Sequence, residues 1–296
     1  MRVSVRTVHE SAVDPVALRR GVLAVSVLDD IPLEPSADGV RLRPDWHDPS
    51  WTTVPWGRLE QALAGAAPES REGRLRLRDW FRVRAVLARD GAAVRTRAVA
   101  LALPCGHALH PGRAWVREPV LGGVLDLGLG LRVDSPVGEQ SVLALAPSAL
   151  ACAGIDARHW WAPVRERLDA LAVLAIERLT RDGAGLLTPM GGCDVLTLLG
   201  SRWLRAHLAA GDGTGMRAIA APMRTRAWFD LARIDPAFVA AAAAATDEEH
   251  RGVPRPLLVT CDEVVLASPA NAGRLAELAL RDPAGPDPLL PDVLYR

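Results

Sequence analysis

The chain has 296 residues, 49% of them apolar, enough for one large core or two smaller ones. Its 35 basic residues, all arginine, are balanced by 35 acidic ones, and no dense basic block offers a phosphate-tracking surface. This argues against a nucleic-acid partner, and the absence of lysine beside abundant Ala, Gly, Pro and Val reads as GC-rich bacterial coding rather than as a function.

The start, MRVSVRTVHESAV, lacks the apolar core of a signal peptide, and no apolar run reaches the roughly 18 to 20 residues of a spanning helix. Four scattered cysteines (Cys105, Cys152, Cys193, Cys261) read as reduced thiols. The expectation is a cytoplasmic protein with no membrane partner. RVSVRTV and GVLAVSVL are expected as strands, joined by a short helix capped by Asp14 with Pro15 in its first turn. Residues 32–56, with five prolines, read as a long surface loop whose Trp46, Trp51 and Trp56 cover an open core edge.

WGRLEQALAGA is expected as a helix. RLRLRDWFRVRAVLA alternates at Leu75, Leu77, Phe81, Val83, Ala85 and Leu87, which favours a strand with arginines outward, and ARDGA then reads as a hairpin turn into AAVRTRAVALAL. The glycines of LGGVLDLGLGL read as turns or bulges, without the spacing of a dinucleotide loop or the lysine of a phosphate loop. DLGLGLRV and QSVLALA are strands. A long, central, buried helix follows, with Pro163 in its first turn, Val164, Leu168, Leu171, Ala175 and Leu179 at helical spacing, Val173, Leu174 and Ile176 on a second apolar face, and Gly183 past its end.

AGLLTPM is then a short strand, CDVLTLLGSRWLRAHLA one helix, and MRAIAAPM and RAWFDLA two strands. Asp235 and Pro236 open a small-faced helix, PLLVTCDEVVLA is a strand or hairpin, and a final helix runs from Ser268 to Leu280. The order gives an α+β class, a mostly antiparallel sheet with a long buried helix and several shorter ones. Three regions are expected: a β-rich α+β part over 1–122 with the Trp-rich loop, a second α+β part over 123–282, and a proline-rich tail over 283–296.

Residues 124–234 resemble the uncharacterised bacterial family DUF1444, or YtpQ-like. The shared pattern is two strands, a capped turn and long helix as in SALACAGIDARHWWAPVRERLDALA, a helix opening like CDVLTLLGS, and a strand ending in a proline and an arginine, as in MRAIAAPMRTRAW. The family's Asp after that arginine is Thr225 here, and its asparagine in the long helix is missing. The resemblance implies a compact α+β domain and brings no catalytic residues.

Two clusters carry the candidate chemistry. In PCGHALHPGR, Cys105, His107 and His110 are good zinc donors in a tight loop, needing a fourth from His159, Cys193 or His207 at about 2.0–2.3 Å from a common point. The other reading of this stretch is a structural loop. In PMGGCDVLTLL, Cys193 stands where a helix begins and its dipole would favour thiolate; alternatively Asp194 is the cap and Cys193 an inert neighbour. The tryptophans either line a groove or supply packing that only three Phe and one Tyr leave to them. Two functional classes stand open: a non-catalytic protein that binds a protein partner or small ligand, and a metal- or thiol-dependent enzyme of hydrolase type. No cofactor is implied.

Overall fold

The computed structural model describes residues 13–267 apart from 113, 121–122, 135–139, 184, 212 and 230–233. The expected first strand, the Ser268–Leu280 helix and the tail lie outside them. The fold is α+β, with three sheets, all antiparallel.

Helix α1 (Pro15–Leu28) is capped as the sequence predicts, with the Asp14 carboxylate accepting from Val16 N–H. It continues through GVLAVSVL, where a strand was expected. Leu18, Gly21, Val22 and Val25 form a buried face at helical spacing, and an apolar run broken only by Ser26 hides that period from a reading of alternation. Residues 32–56 also depart from expectation. They hold a three-stranded sheet of β1 (Leu33–Pro35), β2 (Gly39–Leu42) and β3 (Thr52–Pro55). Pro35 and Pro55 end the two outer strands, where a missing N–H costs no ladder bond.

Helix α2 (Trp56–Leu63) forms as expected. The next segment, expected as a strand, is helix α3 (Arg71–Asp90), capped by Ser70, whose hydroxyl accepts from Gly73 N–H. Gly73, Leu77, Trp80, Phe81, Arg84 and Leu87 are buried along one side, whereas Leu75 and Ala85 are only half-buried. The alternation of arginine with apolar residues is therefore incidental to a helix whose arginine stems flank the core stripe. Gly91 ends it in place of the expected hairpin, and a 3-10 turn and short α4 (Val94–Arg97) lead to β4 (Ala98–Pro104).

Strands β5 (Arg117–Val120), β6 (Leu125–Asp134) and β7 (Gln140–Ala144) join β4 in one sheet. β6 pairs β4 on one edge, and β5 and β7 in succession on the other. Gly128 and Gly130 lie within β6 rather than at turns; a Cβ on Gly128 would fall 2.5 Å from the Trp115 ring, which packs there and donates its Nε1–H to Leu129 O. One face of this sheet joins a continuous core of buried residues running from Leu18 to Val264. The other carries a smaller cluster of Leu101, Leu103 and Trp115, against which Val142 and Ala144 pack half-buried.

After α5 (Pro147–Ala153), helix α6 (Trp161–Asp182) ends at Gly183 in the left-handed conformation, as predicted. It is not buried all round. Val164, Leu168, Ala172 and Ala175 face inward, while Val173 and Leu174 are 46% and 50% exposed. β8 (Leu186–Leu187) precedes two helices where one was expected, α7 (Val195–Leu198) and α8 (Arg202–Ala210). They part at Gly200, where a Cβ would lie 2.9 Å from the Leu127 side chain. β9 (Arg217–Met223), β10 (Arg226–Trp228), α9 (Pro236–Ala245), β11 (Leu257–Val259) and β12 (Val264–Leu266) complete the described chain. The third sheet has the order β12-β11-β9-β10-β8.

β4 is an edge strand, yet its open side is occupied. The buried Thr197 hydroxyl accepts from Ala102 N–H, and Arg167 of α6 donates to Ala98 O. The expected boundary near residue 122 falls between β5 and β6, which are paired neighbours.

Candidate functional site

A cavity of about 340 Å³ lies over the second face of the four-stranded sheet. Leu101, Leu103, Val142 and Ala144 line it from the sheet, Arg76, Asp79 and Trp80 from α3, and His107 from the loop after β4. Gly192–Asp194 and the Arg224–Thr225 turn contribute further lining, together with Glu249 and His250. Its volume is that of a small-ligand site. A smaller apolar void of about 260 Å³ against α6 shares Arg132 and Cys193 with it.

The loop PCGHALHPGR is held by its two histidines in the same way. His107 Nδ1 accepts from Leu109 N–H and His110 Nδ1 from Gly112 N–H. A neutral imidazole has one lone pair, so both must carry their proton on Nε2. His107 then donates to Glu248 O at 2.9 Å, and His110 to Asp126 Oδ2 at 2.8 Å. Burial and the nearby Arg224 guanidinium push His107 down to about 4. Burial also lowers His110, against the opposing pull of Asp126.

These bonds engage both histidines within the loop and its neighbours. Neither imidazole has a free lone pair for a metal. Cys105 and His110 do converge, but on the Asp126 carboxylate, which Arg117 also grips. Cys105 is exposed, with its thiol pushed up by desolvation and by Asp126. His159 and His207 are exposed on α6's leading turn and on α8, and Cys193 is buried in another turn. Among the described residues, no three His, Cys, Asp or Glu side chains are placed to hold a metal ion.

Cys193 is not a helix-activated thiol. Asp194 is the N-cap of α7, accepting from Thr197 N–H, and burial followed by the Asp194 charge pushes the Cys193 thiol up to about 12. Its backbone closes a tight turn with Met190, each N–H donating to the other's carbonyl at 2.9 Å. Gly191 and Gly192 take φ of +59° and +84° at the two central positions, which demand glycine.

That turn brings two arginines into the cavity wall. Arg132 of β6 donates from Nη2 to Gly191 O, and a Cβ on Gly192 would lie 3.2 Å from its Nε. Arg224 is buried and ion-paired with Asp194, two residues further along. Both have donors to spare: Arg132 Nε and Arg224 Nη1 are buried without a hydrogen-bond partner. Among the described residues no carboxylate pairs with Arg132. Asp79 and Glu249, also on the lining, share Arg78, and burial pushes Asp79 up to about 6 against the pull of that arginine.

Sequence reasoning missed Arg132 and Arg224 because a lysine-free chain makes arginine unremarkable. One signal could have found Arg224: it is the arginine that ends the MRAIAAPMR strand pattern, and its neighbour Thr225 is on the same lining. The three loop tryptophans form no common face. Trp51 lies beneath Arg41 and Arg43, Trp56 packs on the core, and Trp46 is 52% exposed. No protein-family model, curated protein or solved structure matches this chain. Among the described residues no helix is long and apolar enough to cross a membrane.

Proposed function

We propose that the protein is a non-catalytic binder of a small organic anion, held in the cavity above the β4–β6–β7 face, and that it works in the cytoplasm. The observation that carries this reading is Arg224, a buried guanidinium on the cavity wall with Nη1 unpaired. A buried donor without a partner costs about 1–3 kcal/mol, and an anionic oxygen offsets that cost with a charge-assisted bond. Arg132, with a second unpaired donor beside the same turn, adds to it. Kinship of residues 124–234 with DUF1444 is part of the same proposal and contributes no site residue.

The enzyme reading has less behind it. The Cys105 and Cys193 thiols are pushed up rather than down, and both nitrogens of His107 and His110 are engaged, so none of these four groups is poised as a nucleophile or base. The test is thermal unfolding of the purified chain with small carboxylates, phosphates and amines at millimolar concentration. The expected result is a rise in Tm with anions, absent with amines and reduced by Arg132→Gln, which leaves the Arg224–Asp194 pair in place. Stabilisation by amines alone, or anion effects undiminished in Arg132→Gln, would refute the reading.

A further inference from the structure

We infer that the anion is a monocarboxylate carrying an unbranched apolar chain, its head between Arg132 and Arg224 and its chain on the Leu101, Leu103 and Val142 wall. The inference rests on the reading of this cavity as an anion site and goes on to name the ligand class.

Charge counting selects the head group. Arg132 and Arg224 bring two positive charges to the Gly192–Asp194 turn and Asp194 returns one negative, leaving a surplus of one. His107 adds none, because both its nitrogens are committed in the neutral form. A carboxylate balances that surplus; a dianionic phosphate would leave a net negative charge beside the Asp194 carboxylate and a largely apolar wall. The rest of the lining reinforces the choice. Asp79 and Glu249 share the single Arg78, and Arg76 on the same wall is already held by Glu72 and His110 O, so a second anionic group further along the ligand meets carboxylates and a cation already paired.

The wall selects the remainder of the molecule. Leu101 and Leu103 alternate outward from β4, Val142 and Ala144 from β7, and the last two are only half-buried by the protein itself. Gly130 lies beneath them, where a Cβ would meet Val142 at 2.7 Å and Leu101 at 2.9 Å. The floor is thus a continuous apolar surface next to the arginine pair, with room for a chain. The two arginines give the chain a fixed end from which to lie along it.

The experiment is calorimetric titration of the full chain with butanoate, hexanoate, octanoate and decanoate below micelle-forming concentrations, beside alkyl phosphates of matched length. Affinity is expected to rise about fourfold per added CH₂ until the wall is covered. Carboxylates should bind more tightly than matched phosphates. Val142→Ser should reduce the gain per CH₂, and Arg132→Gln should weaken every length alike. Length-independent affinity, or tighter binding of phosphates, with Arg132 still required, overturns this inference while leaving the anion site intact. If no carboxylate or phosphate binds, both fall.

Discussion

His107 offers the sharpest test of the loop's role. Its imidazole is neutral in the fold and pushed down to about 4, from 6.5 in the unfolded chain. Below pH 6.5 the unfolded chain takes up a proton that the folded one refuses until about 4. Its contribution to stability is therefore complete above pH 6.5 and is lost as pH falls toward 4. Between pH 7.5 and 5 the loss is about 2 kcal/mol. Asp79 works in the opposite sense: with its carboxyl raised to about 6 from 3.8, it favours the folded state more as pH falls, by about 1.4 kcal/mol over the same interval. That term is common to wild type and a His107 variant, so it cancels in the difference. His107→Gln keeps a donor for Glu248 O but cannot also accept from Leu109 N–H in the same geometry, and is expected to cost about 1–3 kcal/mol at pH 7.5. Its stability should then fall about 2 kcal/mol less than wild type on moving to pH 5. Urea unfolding followed by tryptophan fluorescence at the two pH values measures both quantities. Parallel pH dependences in the two proteins would show that His107 titrates as a solvated imidazole, and the account of the loop would be wrong.

Asp79→Asn should remove the opposing slope. Wild-type stability carries a term that is lost as pH rises from about 4 to 6, and urea midpoints of the variant should lack it. Thr197→Val takes the only described acceptor from the buried Ala102 N–H and is expected to cost about 1–3 kcal/mol by chemical denaturation. Equimolar zinc should leave Tm unchanged in wild type and in the His107→Ala, His110→Ala double variant, with metal content read by mass spectrometry. Stoichiometric zinc lost in the double variant would restore the metal reading of Cys105, His107 and His110.

Local punctuation was legible in the sequence. Asp14 with Pro15, Asp235 with Pro236, and Gly183 mark helix ends through bonds and backbone angles set within a few residues, and all three stand where expected. Periodicity was less reliable. In α3 the arginines alternate with apolar residues, and only tertiary packing shows that Trp80 and the arginine at 84 lie inside while Leu75 lies on the flank. The break between α7 and α8 depends on how closely Leu127, from a distant strand, approaches Gly200, which no local pattern records. The cavity was the least visible feature. Arg132 and Arg224 reach the cavity wall beside a glycine turn that lies far from both in sequence, through the Arg132–Gly191 and Arg224–Asp194 contacts.

The capped side of β4 bears on how the protein behaves at high concentration. A strand with open N–H and C=O groups is a template on which another chain can lay a strand, and repetition of that step builds a fibre. Here the outward N–H of Ala102 is spent on Thr197 and the carbonyl of Ala98 on Arg167, each supplied by a helix packed alongside. The ladder an added chain would extend is therefore interrupted at both of these positions, and α6 and α7 stand where the new strand would lie.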